Sequence, residues 1–300
     1  MKGLGKVLSL FLLLPLMAGM CNPDPGPDPV PDPEPEPDLE QPYEVSFAAK
    51  VNEMTTRATD TAFEDGDEIS VYACYDASLS SSNYAQNVRY KYDKGLFEST
   101  YPISYPDKSA ALTFYALYPY GNYSTPEMRF SVSKNQDSEE AYMESDLMTA
   151  SAVAKDKKTV DLKFSHRLAK ISLVLNSDRM PAGEQSVKFC KVYTSLDADI
   201  ADNRYTETGS KSDVASCPDG KNAFKVILPP QKIAAGSLFA EIRIGDKVYD
   251  WVAESDIYLS SGIEHVYTAT LKEDTITIEA DINDWNEESG EVEADRNKNK

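Results

Sequence analysis

From Tyr43 onward, apolar residues fall at every second position in short runs, and polar, Gly and Pro clusters cut one run from the next. Val45, Phe47, Ala49 and Val51 alternate in this way, as do Ile69, Val71 and Ala73. A period of two puts successive side chains on opposite faces of an extended chain, so each run predicts a half-buried strand. Ala110 to Tyr118 is nearly continuous apolar and aromatic and ends at Pro119-Tyr120-Gly121, a turn signal. Gly245-Asp246, between Leu238/Ala240/Ile242/Ile244 and Val248 to Val252, predicts a tight hairpin. Phe224 to Leu228, Tyr267 to Leu271 and Ile276/Ile278/Ala280/Ile282 complete the series. Helical periodicity is confined to a short helix expected within Glu139 to Lys155. Many short strands at this spacing predict an all-β chain of sandwich architecture, and no short repeat suggests a solenoid or propeller.

One run carries more information than the others. In Val160 to Leu175 the apolar positions are 160, 162, 164 and 168, then 171, 173 and 175. The parity changes between Leu168 and Ile171, so the buried face switches, either at a bulge or where the chain passes from one sheet to another. A domain boundary is expected here. It divides the folded part into an N-terminal sandwich over residues 43–165 and a C-terminal one over 166–286, followed by a charged tail, 287–300.

The first 42 residues cannot belong to either. Lys2 and Lys6 precede an apolar run, Val7 to Met17, broken only by Ser9 and Pro15. Eleven residues are too few for a bilayer, which needs about 20, so residues 1–20 read as a signal peptide. Cys21 directly follows, at the position acylated in bacterial lipoproteins; a soluble form cut near Ala18 or Gly19 is the alternative. Residues 21–42 then place Pro at nearly every second position, with seven acids and no Lys or Arg. Proline fixes φ and lacks an N–H, so this stretch can neither pair in a sheet nor wind into a helix. Its residues 22–38 should be extended polyproline II, reaching roughly 50 Å at ~3.1 Å per residue. A spacer of this kind suits a membrane-tethered protein.

Charge and residue supply narrow the function. Fifty acidic against 30 basic residues give a net charge of −20, which repels phosphate backbones and disfavours nucleic acid. With two histidines and four cysteines there is little material for metal or acid–base chemistry. No H-E-x-x-H, G-x-S-x-G, P-loop or G-x-G-x-x-G occurs, so the sequence predicts no enzyme, cofactor or metal site. His166 shares the parity of Phe164 and reads as a packed, hydrogen-bonded ring; His265 opens a strand and reads as solvated or capping. Cys190 and Cys217 can close a disulfide loop worth roughly 3–4 kcal/mol, or remain buried thiols alongside Cys74. The acid clusters Asp65-Gly66-Asp67-Glu68 and Asp197 to Asp202 lack calcium-loop spacing and read as solvated turns. Eighteen tyrosines either fill strands or form a glycan-binding platform.

Several stretches together resemble the fimbrillin family of Bacteroidales surface proteins, the subunits of type V pili. They are Thr56-Arg57-Ala58-Thr59-Asp60 leading to Phe63 to Tyr72, then Leu112 to Tyr120, Ser145-Asp146-Leu147-Met148, Phe164-Ser165-His166-Arg167-Leu168-Ala169-Lys170-Ile171, and Ile282-Asn283-Asp284-Trp285. The ordered set spans residues 45–285. The resemblance implies two transthyretin-like β-sandwiches in tandem behind a lipoprotein signal. It implies proteolytic processing after Arg57, so that the mature chain starts at Ala58, and a groove filled by a neighbouring subunit's strand. Asp60-Thr61-Ala62 and Asp274-Thr275-Ile276 resemble O-glycan acceptor sites of exported proteins from this bacterial group, which makes Thr61 and Thr275 candidates; an unmodified turn or strand edge is the alternative.

These readings lead first to a surface-anchored structural subunit serving fimbrial assembly and adhesion. Its partners would be other subunits through β-strand exchange, the outer membrane through a lipid on Cys21, and surface glycans or proteins. The second reading is a monomeric surface lipoprotein that binds glycan. A hydrolase has no catalytic constellation behind it.

Overall fold

The computed structural model describes residues 43–51, 62–75, 78–272 and 275–285. Its first half contains β1 (Ser46–Val51), β2 (Glu68–Cys74), β3 (Ala85–Asp93), β4 (Leu96–Glu98), β5 (Ala111–Tyr118), β6 (Glu127–Ser131), a single short helix α1 (Glu139–Met143), β7 (Met148–Lys155) and β8 (Thr159–His166). The second half runs through β9 (Ala169–Asn176), β10 (Gln185–Asp199), β11 (Arg204–Ala215), β12 (Cys217–Pro218), β13 (Ala223–Leu228), β14 (Gln231–Ile233), β15 (Leu238–Ile244), β16 (Lys247–Val252), β17 (Ile257–Leu259), β18 (Ile263–Lys272) and β19 (Thr275–Asp284). The all-β reading of the alternating runs therefore stands. Only the first five residues of the expected helical stretch are helical. Ser138 Oγ accepts from Ala141 N–H at 3.3 Å and caps α1, and Glu139 and Glu140 occupy its positive end. Further along, Met148–Lys155 forms β7, paired with β5 over eight residues.

Seven strands of the first half join edge to edge in the order β1-β4-β3-β2-β5-β7-β8, and β8 returns to pair with β1, closing a barrel. Where a two-sheet sandwich is expected, this half is thus one ring-closed sheet. The parallel pairing of β1 with β8 closes the ring, and aromatic side chains fill its interior: Phe63 packs edge-on against Phe97, Tyr118 and Phe164, and Phe47 against Tyr90 and Phe114. The second half does form two facing sheets, β11-β10-β15-β16 and β12-β13-β9-β18-β19. Between them lie Ile171, Leu173, Phe189, Phe239, Trp251 and Tyr267. β14 and β17 make a separate two-stranded ladder.

The parity change at residues 168–171 has a plain origin. β8 ends at His166 in the barrel, and β9 begins at Ala169 in a different sheet, so the chain changes sheet rather than bulging. The two halves are nevertheless stitched together. The 15-residue β10 pairs through Gln185–Phe189 with β15 and through Ser195–Asp199 with β6, a strand from the first half. Register shifts at Phe189/Val192 and Tyr193/Ser195 let it bend between those partners.

The choice left open at Cys190 and Cys217 resolves to buried thiols: like Cys74, neither is in a disulfide. They lie in different sheets and face different groups: Cys190 Sγ lies 3.5 Å from Lys188 O, Cys217 Sγ 3.7 Å from Glu139 Oε2. Burial pushes both thiols above their ordinary value, to about 11 for Cys217. His265 is buried rather than solvated, because Val266 and Thr268, not His265, take the outward positions of β18. The acidic clusters are occupied by the protein itself. Asp65 and Asp67 accept backbone N–H groups of Lys94 and Glu64, and Asp197 and Asp199 are held by Arg129 and Arg204.

The Gly245-Asp246 hairpin forms as its sequence predicts, with Gly245 at φ +57. A Cβ there would lie 2.6 Å from the Ala182 carbonyl oxygen, so both the left-handed backbone and the close approach require glycine. Gly245→Ala is expected to cost about 1–3 kcal/mol of folding free energy, read from urea melts.

Burial also holds the His265 imidazole below its ordinary 6.5. Its Nε2 lies 3.4 Å from Ser260 N–H, an acceptor role open only to the neutral ring. The unfolded chain therefore takes up this proton from about pH 6.5 downward while the folded one resists, so the contribution is intact above that pH and is lost as pH falls. Between about pH 7.5 and pH 5, wild type should lose more stability in urea melts than His265→Gln.

Candidate functional site

β1 holds the barrel shut. It pairs in parallel with β8 through six registered positions, Ser46↔Thr159 to Val51↔Phe164, and meets β4 on its other side only at Phe47↔Phe97. Its entry is fixed from both directions. Ser46 N–H donates to Lys158 O at 2.9 Å, and Val45 N–H to Ile103 O at 2.8 Å. The Tyr90 hydroxyl bridges the strand to the opposite wall, donating to Val45 O at 3.1 Å and accepting from Ile103 N–H at 2.8 Å. Burial holds that phenol well above its ordinary value, so it remains a donor at any physiological pH.

The side chains follow the alternation read from the sequence. Val45, Phe47 and Val51 are buried, Ala49 partly so, and Ser46 and Lys50 turn outward. Phe47 has no exposed surface and packs edge-on against Tyr90 at 4.9 Å and Phe114 at 5.2 Å. Burying residues of this size contributes about 1.5–3 kcal/mol each. Without β1, Val160, Leu162 and Phe164 of β8 and Phe97 of β4 would line an open apolar groove, and β8 would present an unpaired backbone edge.

A second cluster joins the barrel to the sandwich. Asp146 Oδ2 lies 2.8 Å from His166 Nδ1, both buried, and the His166 ring stacks on Trp285 at 3.8 Å and 7°. Trp285 N–H donates to Gly262 O at 2.7 Å, and Gly262 N–H to Leu168 O at 2.8 Å. Lys170 Nζ sits over the Trp285 ring and 3.4 Å from Glu264, which also accepts from Ser172 Oγ at 2.7 Å. Arg167 N–H reaches back to Leu147 O and its Nε to Thr149 Oγ1. Three stretches quoted from the sequence, around Asp146, His166 and Trp285, thus meet at one point. The His166 imidazole is buried between a carboxylate and an indole.

Of the residues singled out in the sequence, Cys21, Arg57, Ala58 and Thr61 lie outside the described residues. Thr275 opens β19, exposed, with its Oγ1 donating to Lys272 O at 3.0 Å. The segment Ile276/Ile278/Ala280/Ile282 is the last strand of its own sheet, antiparallel to β18 over ten pairs. The Asp146 and Trp285 partners of His166, and the Tyr90 bridge, escape sequence reasoning. Alternation marks His166 and Tyr90 as inward-facing, but nothing in it tells which distant strand they will meet.

A family model described as fimbrillin-like matches residues 56–285. A Bacteroides uniformis protein assigned as the fimbrium subunit Fim1C is 25% identical over 267 residues, covering 79% of this chain and 83% of its own. A crystal structure from Bacteroides ovatus, of a protein described as a cell adhesion protein, superposes with a TM-score of 0.67 at 19% identity, covering 81% of this chain and 98% of that one. A similarly described structure from Bacteroides uniformis gives 0.64 at 19%, with 83% and 100% covered. At that identity the two structures speak for the fold.

The junction yields a direct test. A double-mutant cycle with Asp146→Asn and His166→Gln should return a coupling of about 1–3 kcal/mol, since both groups are buried and in contact. A coupling near zero in urea melts would show that the pair does not hold the halves together.

Proposed function

The chain belongs to the fimbrillin-like family as a structural subunit of a cell-surface fimbrium, and we propose that it joins its neighbours by strand exchange at the seat of β1. The single observation behind this reading is the placement of β1. One strand, the first, closes the barrel over an apolar seat, and Arg57 follows its last residue by six positions. A cut after Arg57, leaving Ala58 as the new N-terminus, severs only that strand from the rest of the fold. Its departure exposes the β8 edge and the groove beside Phe97, Tyr90 and Phe114, and a neighbour's extended segment restores both the backbone pairing and the burial. β19 is engaged in its own sheet, so it serves as donor only after leaving β18.

The same cut would separate two states of the molecule. Cys21 lies on the N-terminal side of Arg57, so cleavage removes any lipid together with β1. An uncut, acylated chain remains tethered to the outer membrane by its Pro-rich spacer with the groove filled, and is suited to the base of a fimbrium. A cut chain is free and can accept a strand. In this reading the two halves are the counterparts of the family's tandem domains, the first closed by β1, and Thr61 and Thr275 are candidate glycan acceptors, Thr275 lying exposed at the start of β19. Adhesion follows from display at the surface.

The mature N-terminus from outer membranes and from sheared fimbriae tests the proposal. Acylated Cys21 is expected in the first and Ala58 in the second. Arg57→Ala should abolish detergent-resistant ladders while leaving folding and membrane attachment intact, and Cys21→Ala should release the protein from membranes, because acyl chains contribute about 0.8 kcal/mol per buried CH₂. Ladders that persist in Arg57→Ala, or wild-type chains that an Arg-specific protease never cuts there, would overturn strand exchange at β1.

A further inference from the structure

On the outer face of β6, β10 and β11 the registers align side chains in rows across three strands. Glu127 lies beside Asp199, which lies beside Arg204; Arg129 lies beside Asp197, which lies beside Thr206. The next row continues with Ser131 and Ser195, whose hydroxyls are 2.8 Å apart. Rows on one face of a sheet are about 6.8 Å apart along the strand and their members about 4.8 Å apart across it. This face forms one wall of a cleft, to which the loop Asn122-Tyr123-Ser124 also contributes. The cleft is open, with a volume of about 840 Å³, within the size range of small-molecule sites.

The groups in the cleft are held in position. Arg129 grips Asp197 through two parallel hydrogen bonds, Nε to Oδ1 at 2.8 Å and Nη2 to Oδ2 at 3.2 Å. Arg204 Nη2 donates to Asp199 Oδ2 at 2.7 Å and lies 3.2 Å from Asp202. Each guanidinium holds its carboxylate below the usual carboxylate range, so the acceptors stay ionised in mildly acidic surroundings. At the end wall the Tyr123 hydroxyl is fixed by Pro119 O at 2.9 Å, which fixes the ring as well.

This arrangement selects by chemistry. The cleft contains three carboxylates and two guanidinium groups, and both guanidinium groups are already engaged by carboxylates. A phosphate or sulfate would meet a net negative surface on a chain of charge −20. An apolar peptide would find little to bury against. A neutral molecule with many hydroxyls fits: each hydroxyl both donates and accepts, so it can give to a carboxylate while taking from the free N–H groups of its guanidinium partner. We infer that the β6–β10–β11 face is a binding surface for neutral oligosaccharides, with the Arg129–Asp197 and Arg204–Asp199 pairs as its hydrogen-bonding rows and Tyr123 as its end wall. It uses none of the residues of the β1 seat, so it stands apart from strand exchange, and it is a different surface from a platform of exposed tyrosines.

The test uses the full folded chain on an array of neutral, sialylated and sulfated oligosaccharides, followed by calorimetric titration of the strongest neutral binder. Wild type is expected to bind neutral members. The double variant Arg129→Ala/Asp197→Ala removes both charges together, leaves none unpaired on an exposed face, and should weaken binding at least about tenfold, or ~1.4 kcal/mol. Thr206→Val should weaken it with no change in charge, and Tyr101→Ser should have no effect. Unchanged circular dichroism and melting would establish that the variants fold. Failure to bind any neutral oligosaccharide, binding confined to charged ones, or equal binding by wild type and the folded double variant would each overturn the assignment. So would self-association that the double variant abolishes, which would make the face a contact between copies.

Discussion

The parallel pairing of β1 with β8 is the constraint on which the first half of the molecule depends. A rolled sheet has two edges, and each edge carries backbone donors and acceptors that need partners. Here one six-residue strand supplies the closure, with Phe47 at the centre of an aromatic interior. Parallel neighbours need a long connection, so β1 and β8 stand at opposite ends of the barrel's sequence. The last contact to close the barrel is therefore also the most non-local, and the strand that makes it is the one attached to the rest by a single segment.

The junction around His166 explains why disturbing β1 need not disturb the rest. β8 continues from the seat of β1 directly into His166, which is held by Asp146 and Trp285. The groove wall is anchored at that end by a buried polar pair and a stacked indole, and Arg167 and Gly262 tie the same point into the sandwich. Loss of β1 would leave β8 anchored there and paired with β7 at Met148 and Thr149.

Much of this was legible from alternation, because a period of two reports burial directly. The inward set of β1, the turn at Gly245-Asp246 and the inward ring of His166 all follow from it. The parity change between Leu168 and Ile171 marked the passage between sheets, since two sheets cannot share one inward face without a change of phase. What alternation cannot carry is pairing. That β6 would leave its sequence neighbours for β10, or that the first half would close on itself, depends on contacts between strands far apart in the chain. His265 was misread for a related reason: a position near a strand end appears exposed until the loop over it, here Ser260, is known.

The double partnership of β10 gives the molecule a mechanical character. Two backbone ladders, one to β15 and one to β6, lie in series along one continuous strand. If tension runs along that strand, the five β6 pairs share the load in shear and must yield together; if it runs across, they peel one at a time. A subunit built on this strand is therefore stiff along one axis and yielding along another. The register shifts of β10 against β11, at Phe189/Val192 and Tyr193/Ser195, fall between the two ladders.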